Sequence, residues 1–442
     1  MSDLATRIDS LFPWMTSTLE DLVRIPSISF VEEHAPDVRR SAEAVARLLD
    51  EAGGTAVRLL EIDGAHPAVY GEFAGPEGAP TVLLYAHHDV QPPGPGWEAD
   101  PFEPRRKDGR LFGRGSGDDK AGILMHLGAI KAFDGALPVN VKCFVEGEEE
   151  IGSRHLPDFL ETYGDLLEAD VIVIGDSGNW RIGVPSLTTS LRGIVDCYVE
   201  VRTLENAVHS GVFGGAYPDA LMAMSRLLAT LHDDEGTVAV EGLVSFDSPP
   251  LDLTDEESDG TAGILPGVEQ VGTGNLTTRM WSKPAVSILA IDAPRIADSV
   301  NALVPSARAH VSMRLAPGQD TAAAMDALVE HLERHAPWGA RVTVERGAAG
   351  EAFALETSGP AYDAWRAAFA EAFGTESVEI GVGGSIPFVA AFDEAMPNAE
   401  ILLTGVCDPT SAMHGPNESV DLEDLRRSAL AEALALASLG AR

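Results

Sequence analysis

The chain has 442 residues, of which 45% are hydrophobic and 23% are charged, a composition typical of a soluble globular protein with room for two domains. It carries 69 acidic and 31 basic residues, and its formal net charge of −38 has the wrong sign for a nucleic-acid-binding protein. The apolar runs are too short to cross a bilayer and no secretory signal is visible, so we expect no membrane association. Three scattered cysteines do not suit a disulfide framework, which favours a cytoplasmic location.

Four apolar segments with the character of strands each lead into polar side chains. The segments are 81–86, 141–145, 170–175 and 401–406, and the polar residues after them are His87 and Asp89, the glutamates of 146–150, Asp176 and His414. Helical patterns at 37–52, 121–133 and 361–373 alternate with these strands and predict an α/β fold, with a mostly parallel sheet covered by helices on both faces. Ligands bind beyond the carboxyl ends of such strands, so we expect the polar residues to converge.

The middle of the chain has a different pattern. Predicted elements are a strand at 193–201, a helix at 219–231, strands at 285–291 and 307–315, a helix at 321–334 and a strand at 340–345. This β-α-β-β-α-β order is typical of a ferredoxin-like α+β domain. Because metal-type residues lie on both sides of it, we expect residues 186–350 to be inserted into a catalytic domain made of 1–185 and 351–442. Residues 248–274 are expected to be a long loop within the insertion.

The polar residues at the strand ends form an inventory suited to metal chemistry. It comprises His87, Asp118 or Asp119, Glu149 or Glu150, Asp176 and His414. Imidazoles and carboxylates suit zinc, with cobalt or manganese as possible substitutes. Two ions sharing a bridging carboxylate would lower the pKa of a bound water to about 7. A further carboxylate must take the proton of that water, and consecutive glutamates can supply both a ligand and a base.

Six motifs occur in order along the chain. They are AHHDVQP at 86–92, GRGSGDDKAG at 113–122, EGEEEIGS at 146–153, HSGVFGG at 209–215, GGSIP at 383–387 and MHGPNE at 413–418. Together they resemble the co-catalytic zinc amidohydrolases and peptidases of the carnosinase group, a family that also holds glutamate carboxypeptidase, succinyl-diaminopimelate desuccinylase and acetylornithine deacetylase. The first and fourth motifs resemble the dipeptidase branch more than the deacylase branch.

The resemblance implies a set of five metal ligands. Asp118 would bridge the two ions, His87 and Asp176 would complete the ligand set of one ion, and Glu150 and His414 would complete that of the other. A slip of one residue within either acidic pair would exchange the roles of its members.

The resemblance also implies roles for residues that do not bind metal. Glu149 becomes the general base, Asp89 orients the first histidine ligand, and Asp119 helps to start the following helix. His209 would stabilise the oxyanion from the partner subunit's lid, which implies a homodimer built through the inserted lid and dimerisation domain. Four residues would contact the substrate, and we expect them to be Arg314, Asn301, Gly384 and Ser385.

We therefore expect a cytoplasmic, homodimeric metallopeptidase with two zinc ions that cleaves dipeptides or short peptides by attack of a metal-bound hydroxide. The alternative is an N-acyl-amino-acid deacylase with the same site, and a third hypothesis is a non-catalytic metal-binding relative. Carnosinase-like members tend to have a histidine near the end of the lid, where this chain reads RGAAG at 346–350. Its absence argues against histidine-containing dipeptides as preferred substrates.

Overall fold

The computed structural model describes residues 3–383 and 387–441, apart from the side chains of Thr261 and Pro387. The chain divides into two compact units. The small unit is Ser190–Ala354 with a few residues from Gly381 onward, and the large unit is formed by the chain on either side of it.

The described part of the chain contains helices and strands throughout both units. The helices are α1 (Asp3–Val23), α2 (Ala35–Glu51), α3 (Lys120–Lys131), α4 (Leu156–Leu167), α5 (Ser210–Phe213), α6 (Ala220–Ala229), α7 (Asp255–Ala262), α8 (Thr321–Arg334), α9 (Pro360–Phe373), α10 (Pro387–Ala395) and α11 (Leu422–Gly440). The strands are β1 (Thr55–Leu60), β2 (Ala68–Phe73), β3 (Thr81–His87), β4 (Arg105–Lys107), β5 (Arg110–Phe112), β6 (Asn140–Glu146), β7 (Val171–Ile174), β8 (Ser186–Leu191), β9 (Gly193–Arg202), β10 (Val208–His209), β11 (Ala285–Asp292), β12 (Ala302–Leu303), β13 (Ser306–Leu315), β14 (Arg341–Gly350), β15 (Phe353–Ala354), β16 (Val378–Val382), β17 (Glu400–Leu403) and β18 (Ser419–Asp421).

The main sheet has the order β1-β2-β6-β3-β7-β17-β8-β15, and β16 also pairs with β8. Strands β6, β3, β7 and β17 pair in parallel, while β1, β2 and β8 join them antiparallel. The mostly parallel sheet is thus confirmed, with antiparallel strands toward its edges. Because the four central strands run in the same direction, their carboxyl ends meet at one edge of the sheet.

Strand β3 is buried on both faces, which explains why its sequence is almost wholly apolar. Val82, Leu84 and Ala86 belong to the main hydrophobic core, together with side chains from α1, α3, α9 and α11. Tyr85 points to the opposite face, because side chains alternate along a strand, and its ring stacks on Phe388 of α10 at 4.7 Å between centroids. Helices therefore cover both sides of the sheet. No helix in the described ranges is long and apolar enough to span a membrane.

The small unit has an antiparallel sheet of order β11-β13-β9-β14, with α6 and α8 packed against one face. Alternate residues of β9, from Val195 to Val201, are buried under these helices, whereas Tyr198 lies on the open face. The order and connections confirm the ferredoxin-like β-α-β-β-α-β pattern.

The expectation of a loop over residues 248–274 is wrong in part, because α7 lies within it. Thr254 caps this helix by accepting a hydrogen bond from the N–H of Glu257, and the Glu257 side chain bonds back to the N–H of Thr254. Gly263 ends the helix with a left-handed φ of 66°. The Thr-x-x-Glu spacing is a capping box, a signal that the Pro, Asp and Gly content of the segment obscured.

Candidate metal centre

The carboxyl edge of the central sheet brings together all five predicted metal ligands. His87 ends β3, Asp118 lies just before α3, Glu150 follows β6, Asp176 follows β7 and His414 lies in the loop after β17. The strands β3, β6, β7 and β17 are separated in the sequence, but they are parallel neighbours in the sheet, so their carboxyl ends lie side by side.

The Asp118 carboxylate lies between two imidazoles. Its Oδ1 is 3.0 Å from His87 Nε2, and its Oδ2 is 3.1 Å from His414 Nε2. Each imidazole has a second carboxylate beside it: Asp176 Oδ1 is 3.7 Å from His87 Nε2, and Glu150 Oε2 is 3.2 Å from His414 Nε2. Two sets of nitrogen and oxygen donors that share one bidentate carboxylate fit two divalent ions.

Glu149 lies beside the same set of donors without a firm attachment. Its Oε2 is 4.0 Å from His87 Nε2, and donor atoms of His87, Glu149 and Asp176 all lie within 4.8 Å of one another. The described residues donate no hydrogen bond to its carboxylate. Burial and the nearby charge of Asp176 raise the pKa of Glu149 well above its usual range. A loosely held carboxylate with a high proton affinity suits a proton carrier better than a ligand.

Glu150, in contrast, is held firmly by Gln91. The backbone N–H of Gln91 donates to Glu150 Oε1 at 2.9 Å, and its side-chain amide donates to Oε2 at 2.7 Å. These bonds direct the Glu150 carboxylate toward His414. The geometry therefore distinguishes the two glutamates, while the roles of base and ligand stay predictions.

The side-chain carboxylates of Asp118 and Asp119 also point in different directions. Asp119 caps α3, accepting a hydrogen bond from the N–H of Gly122 at 3.1 Å, and its other oxygen accepts one from the N–H of His87 at 3.3 Å. Burial and the charge of Asp176 raise the pKa of Asp119. Asp119 thus starts the helix, as expected, while Asp118 faces the imidazoles.

Asp89 supports several members of the site at once. Its Oδ1 is 3.3 Å from His87 Nδ1 and accepts a hydrogen bond from the N–H of Glu149 at 3.2 Å. Its Oδ2 accepts bonds from the N–H of Glu150 at 3.1 Å and from Ser29 Oγ at 2.6 Å. A carboxylate in this place fixes the orientation of the imidazole and raises its basicity.

His88 points to the other face of β3, as the alternation predicts. Its Nε2 lies 3.0 Å from the carbonyl oxygen of Pro67. Burial lowers the pKa of His88 to about 4, so the ring is neutral at pH 7. We therefore regard His88 as a structural residue.

The protonation of His87 and His414, the two histidines predicted to bind metal, gives a prediction about metal binding. Hydrogen bonds with Asp118 and Glu150 raise the pKa of His414 to about 10. Burial lowers the pKa of His87, but the nearby carboxylates, Asp176 first, outweigh it and raise that pKa well above its usual value. The raised pKa values favour the protonated form of both rings in the metal-free protein, so a metal ion has to displace protons from them.

We expect metal binding to release protons at pH 7 and to weaken as the pH falls. Zinc titrated by calorimetry in buffers of different ionisation enthalpy measures the number of protons released. The His414→Ala variant, which lacks one of the titrating rings, should release fewer. A heat of binding that does not depend on the buffer would contradict the prediction.

Two predicted residues of the small unit are neighbours. His209 pairs with Ala302 in the short β10–β12 ribbon, and the N–H of Ser210 donates to the carbonyl of Asn301 at 3.0 Å. The His209 side chain is exposed, and its Nδ1 accepts a hydrogen bond from the N–H of Gly211 at 3.0 Å. The proton of the neutral ring therefore lies on Nε2, which is free to donate a hydrogen bond.

Arg314 lies half-buried in β13, and Arg192 is a residue near it that the sequence reasoning missed. Arg314 pairs with Ile194, and Arg192 lies just before β9, close enough for the charges of the two arginines to interact. Arg192 is 6% exposed and donates to the carbonyls of Met280 and Lys283 at 2.7 and 2.6 Å. Burial and the charge of Arg314 lower the pKa of Arg192 to about 10. Gly384 and Ser385 lie outside the described residues.

The missed residues of the metal centre are supports rather than ligands. Gln91 lies in the AHHDVQP motif and Glu418 in the MHGPNE motif. Their position close to predicted ligands in these motifs could have indicated a supporting role. Ser29 carries no such signal, because it lies 60 residues from its partner Asp89.

Comparison with known proteins identifies the family of the chain. The model of peptidase family M20/M25/M40 matches residues 83–437. The chain is 35% identical over 433 residues to the cysteinylglycine-S-conjugate dipeptidase of Corynebacterium striatum, covering 96% of this chain and 94% of the relative. It is 28% identical over 386 residues to human Beta-Ala-His dipeptidase, covering 80% and 74% of the two chains.

The fold has close counterparts among solved structures. The crystal structure of human carnosine dipeptidase 1 superposes with a TM-score of 0.80 at 25% sequence identity, covering 99% of this chain and 98% of the other. Since the family model matches well over half of the chain and both units have counterparts in that structure, the chain belongs to peptidase family M20/M25/M40.

Proposed function

We propose that this protein is a dinuclear metal-dependent dipeptidase. The observation that carries the proposal is the Asp118 carboxylate between two imidazoles, with the unattached carboxylate of Glu149 beside them. His87, Asp118 and Asp176 would hold one ion, and Asp118 with two further ligands, Glu150 and His414, the other. Two divalent ions, zinc in our proposal with manganese or cobalt as substitutes, would polarise the scissile carbonyl and acidify a bound water.

Glu149 moves the proton in this proposal. Its carboxylate accepts a proton from the attacking water and passes it to the nitrogen of the leaving amine, so that the peptide bond breaks without releasing an amide anion. Asp89 contributes by holding His87 and the backbone of Glu149 in place.

His209 stabilises the oxyanion, and we place it in the site of the partner subunit. Its exposed Nε2–H is a donor suited to an oxygen that gains negative charge during the reaction.

An edge strand in the small unit supports a homodimer: β11 pairs only with β13 among the described strands, and it exposes Ile288, Leu289 and Ile291. Such an apolar edge is normally covered in a stable protein, and a two-fold axis would cover two at once.

Arg314 binds the terminal carboxylate of the substrate, with Asn301, Gly384 and Ser385 as further contacts. A guanidinium matches a carboxylate with two parallel hydrogen bonds. Arg192 adds positive charge near Arg314, and neither arginine pairs with a carboxylate among the described residues. A free anion-binding group in so acidic a protein favours a substrate with a terminal carboxylate.

We propose that dipeptides without histidine are the preferred substrates. Relatives are named as dipeptidases for cysteinylglycine S-conjugates and for Beta-Ala-His, and residues 346–350 lack a histidine at the end of the small unit. We also propose a cytoplasmic location, since the cysteines Cys143, Cys197 and Cys407 are free and buried.

A substrate panel tests the proposed function. The purified protein, supplied in turn with zinc, manganese and cobalt, should hydrolyse cysteinylglycine and other dipeptides. N-acetyl and N-succinyl amino acids form the comparison set. Hydrolysis of only the acylated compounds would favour the deacylase alternative, and metal binding without any hydrolysis would favour a non-catalytic relative.

The Arg314→Ala variant should raise KM for dipeptides about 10- to 100-fold with a smaller change in kcat, because a charge-assisted hydrogen bond contributes about 1.5–3 kcal/mol to binding. Steady-state kinetics with a dipeptide and with its C-terminal amide measure the effect. The amide should be a poor substrate for both proteins, since it lacks the carboxylate. Arg308→Ala, a change at an exposed arginine of the same strand, is the matched control. An unchanged KM for the free dipeptide would contradict the role of Arg314.

A further inference from the structure

A buried ion pair outside the predicted ligand set connects two of the loops that carry predicted metal ligands. Arg114 is 1% exposed and donates from Nη1 to Glu418 Oε2 at 2.6 Å, and the Glu418 residue is fully buried. Arg114 belongs to the loop that leads to Asp118, and Glu418 belongs to the loop that carries His414. The pair therefore joins segments that are 304 positions apart in the sequence.

Glu418 also fixes the backbone of the bridging ligand. Its Oε1 accepts hydrogen bonds from the N–H groups of Gly117 at 3.0 Å and Asp118 at 3.1 Å, and its Oε2 accepts one from the N–H of Gly115 at 3.1 Å. One carboxylate thus gathers the loop immediately before α3 around itself. The direction in which the Asp118 side chain leaves the backbone depends on these bonds.

Arg114 acts on the other loop. Its Nη2 donates to the carbonyl of Gly415 at 3.3 Å, next to His414, and its guanidinium lies over the ring of Trp97 at 5.4 Å from the centroid. The His414 loop needs such support, because His414 and Asn417 both have a left-handed φ of 60°, which non-glycine residues rarely adopt. The His414 side chain is 58% exposed, so packing alone does not hold it.

We propose that the Arg114–Glu418 pair is a positioning device that sets the separation of Asp118 and His414 and thereby the affinity for the second metal ion. The inference rests on the proposed function, since it concerns the same two-ion site. The pair touches neither the substrate nor the ions; it acts through the backbones of the bridging ligand and of the residue after the second imidazole.

The Glu418→Gln variant tests the proposal in the full-length protein. Glutamine keeps the size of the side chain, but its NH₂ group cannot accept the N–H bonds that one carboxylate oxygen accepts now. We expect the dissociation constant of the second ion to rise about 10- to 100-fold, the range found when a partner of a metal ligand is removed. The first ion should remain bound, and kcat should fall at limiting metal with little change in KM. Calorimetric metal titration and the visible absorption of the Co²⁺-loaded protein measure binding without relying on hydrolysis.

Two further variants separate positioning from simple stability. Glu432→Gln removes the carboxylate that pairs with His126, another buried pair, and should lower thermal stability without changing metal stoichiometry. The double variant Arg114→Gln/Glu418→Gln leaves no unpaired buried charge, yet the N–H groups of the Asp118 loop still lose their carboxylate. The double variant should therefore bind the second metal ion as weakly as Glu418→Gln does. Wild-type binding of both ions in either Glu418 variant would overturn the inference, whereas a wild-type protein that binds no pair of ions would overturn the proposed function itself.

Discussion

The Glu149→Gln variant should lose about 10²- to 10⁴-fold in kcat while it keeps both metal ions, because general-base catalysis contributes that factor and the Glu149 carboxylate is not firmly attached to the ligand set. Glutamine has nearly the same shape but cannot accept a proton. KM for the dipeptide should change little, since no substrate contact is removed. Steady-state kinetics and elemental analysis of the purified variant give the two measurements.

The neighbouring glutamate provides the contrast. Glu150→Gln changes a side chain that lies 3.2 Å from His414 and is held by Gln91, so it should lower metal content as well as activity. The two variants together distinguish the base from the ligand, which adjacent positions in the sequence do not. A Glu149→Gln protein that hydrolyses dipeptides at the wild-type rate with both ions bound would refute the proposed mechanism.

The second large effect is expected from His209. His209→Ala should lower kcat about 10²- to 10³-fold, the loss typical of removing one oxyanion donor. If His209 serves the partner's site, a heterodimer of one His209→Ala subunit and one Glu149→Gln subunit contains a single complete site. Its base comes from the first subunit and its histidine from the second.

Co-expression with two affinity tags would isolate that heterodimer. We expect about half of the wild-type activity per dimer, since one of the two sites of a symmetric dimer is restored. The two single-variant homodimers, prepared in the same way, are the controls and should both stay nearly inactive. A heterodimer as inactive as its parents would place His209 in the site of its own subunit, and a monomeric wild-type protein would contradict the cross-subunit role.

Much of the architecture follows from short-range patterns in the sequence. The apolar run before His87 predicts β3, and parallel strand order then places Glu150, Asp176 and His414 near it. The alternation of side chains correctly separates His87 from His88. These features are predictable because they depend on the period of a strand and on the direction of neighbouring strands.

The supports of the site are harder to predict, since they depend on contacts between distant segments. Ser29 reaches Asp89 across 60 positions, and Arg114 reaches Glu418 across 304. Periodicity within a window of 10 to 20 residues carries no trace of such pairs. The resemblance selects Asp118 over Asp119, but the residues by themselves leave that choice open, because it depends on the direction of each carboxylate in the folded chain.

The contacts of Asp89 limit how the sequence of such a protein can evolve. One carboxylate touches the imidazole of His87 and the backbones of Glu149 and Glu150, so we expect a substitution there to disturb metal binding and proton transfer together. Mutations in the reaction centre are therefore tightly interdependent, and few single steps remain open. The residues of the small unit proposed to contact the substrate, Asn301 and Arg314, lie on separate segments and can vary one at a time. New substrate preferences should accordingly arise there, while the hydrolytic chemistry remains fixed.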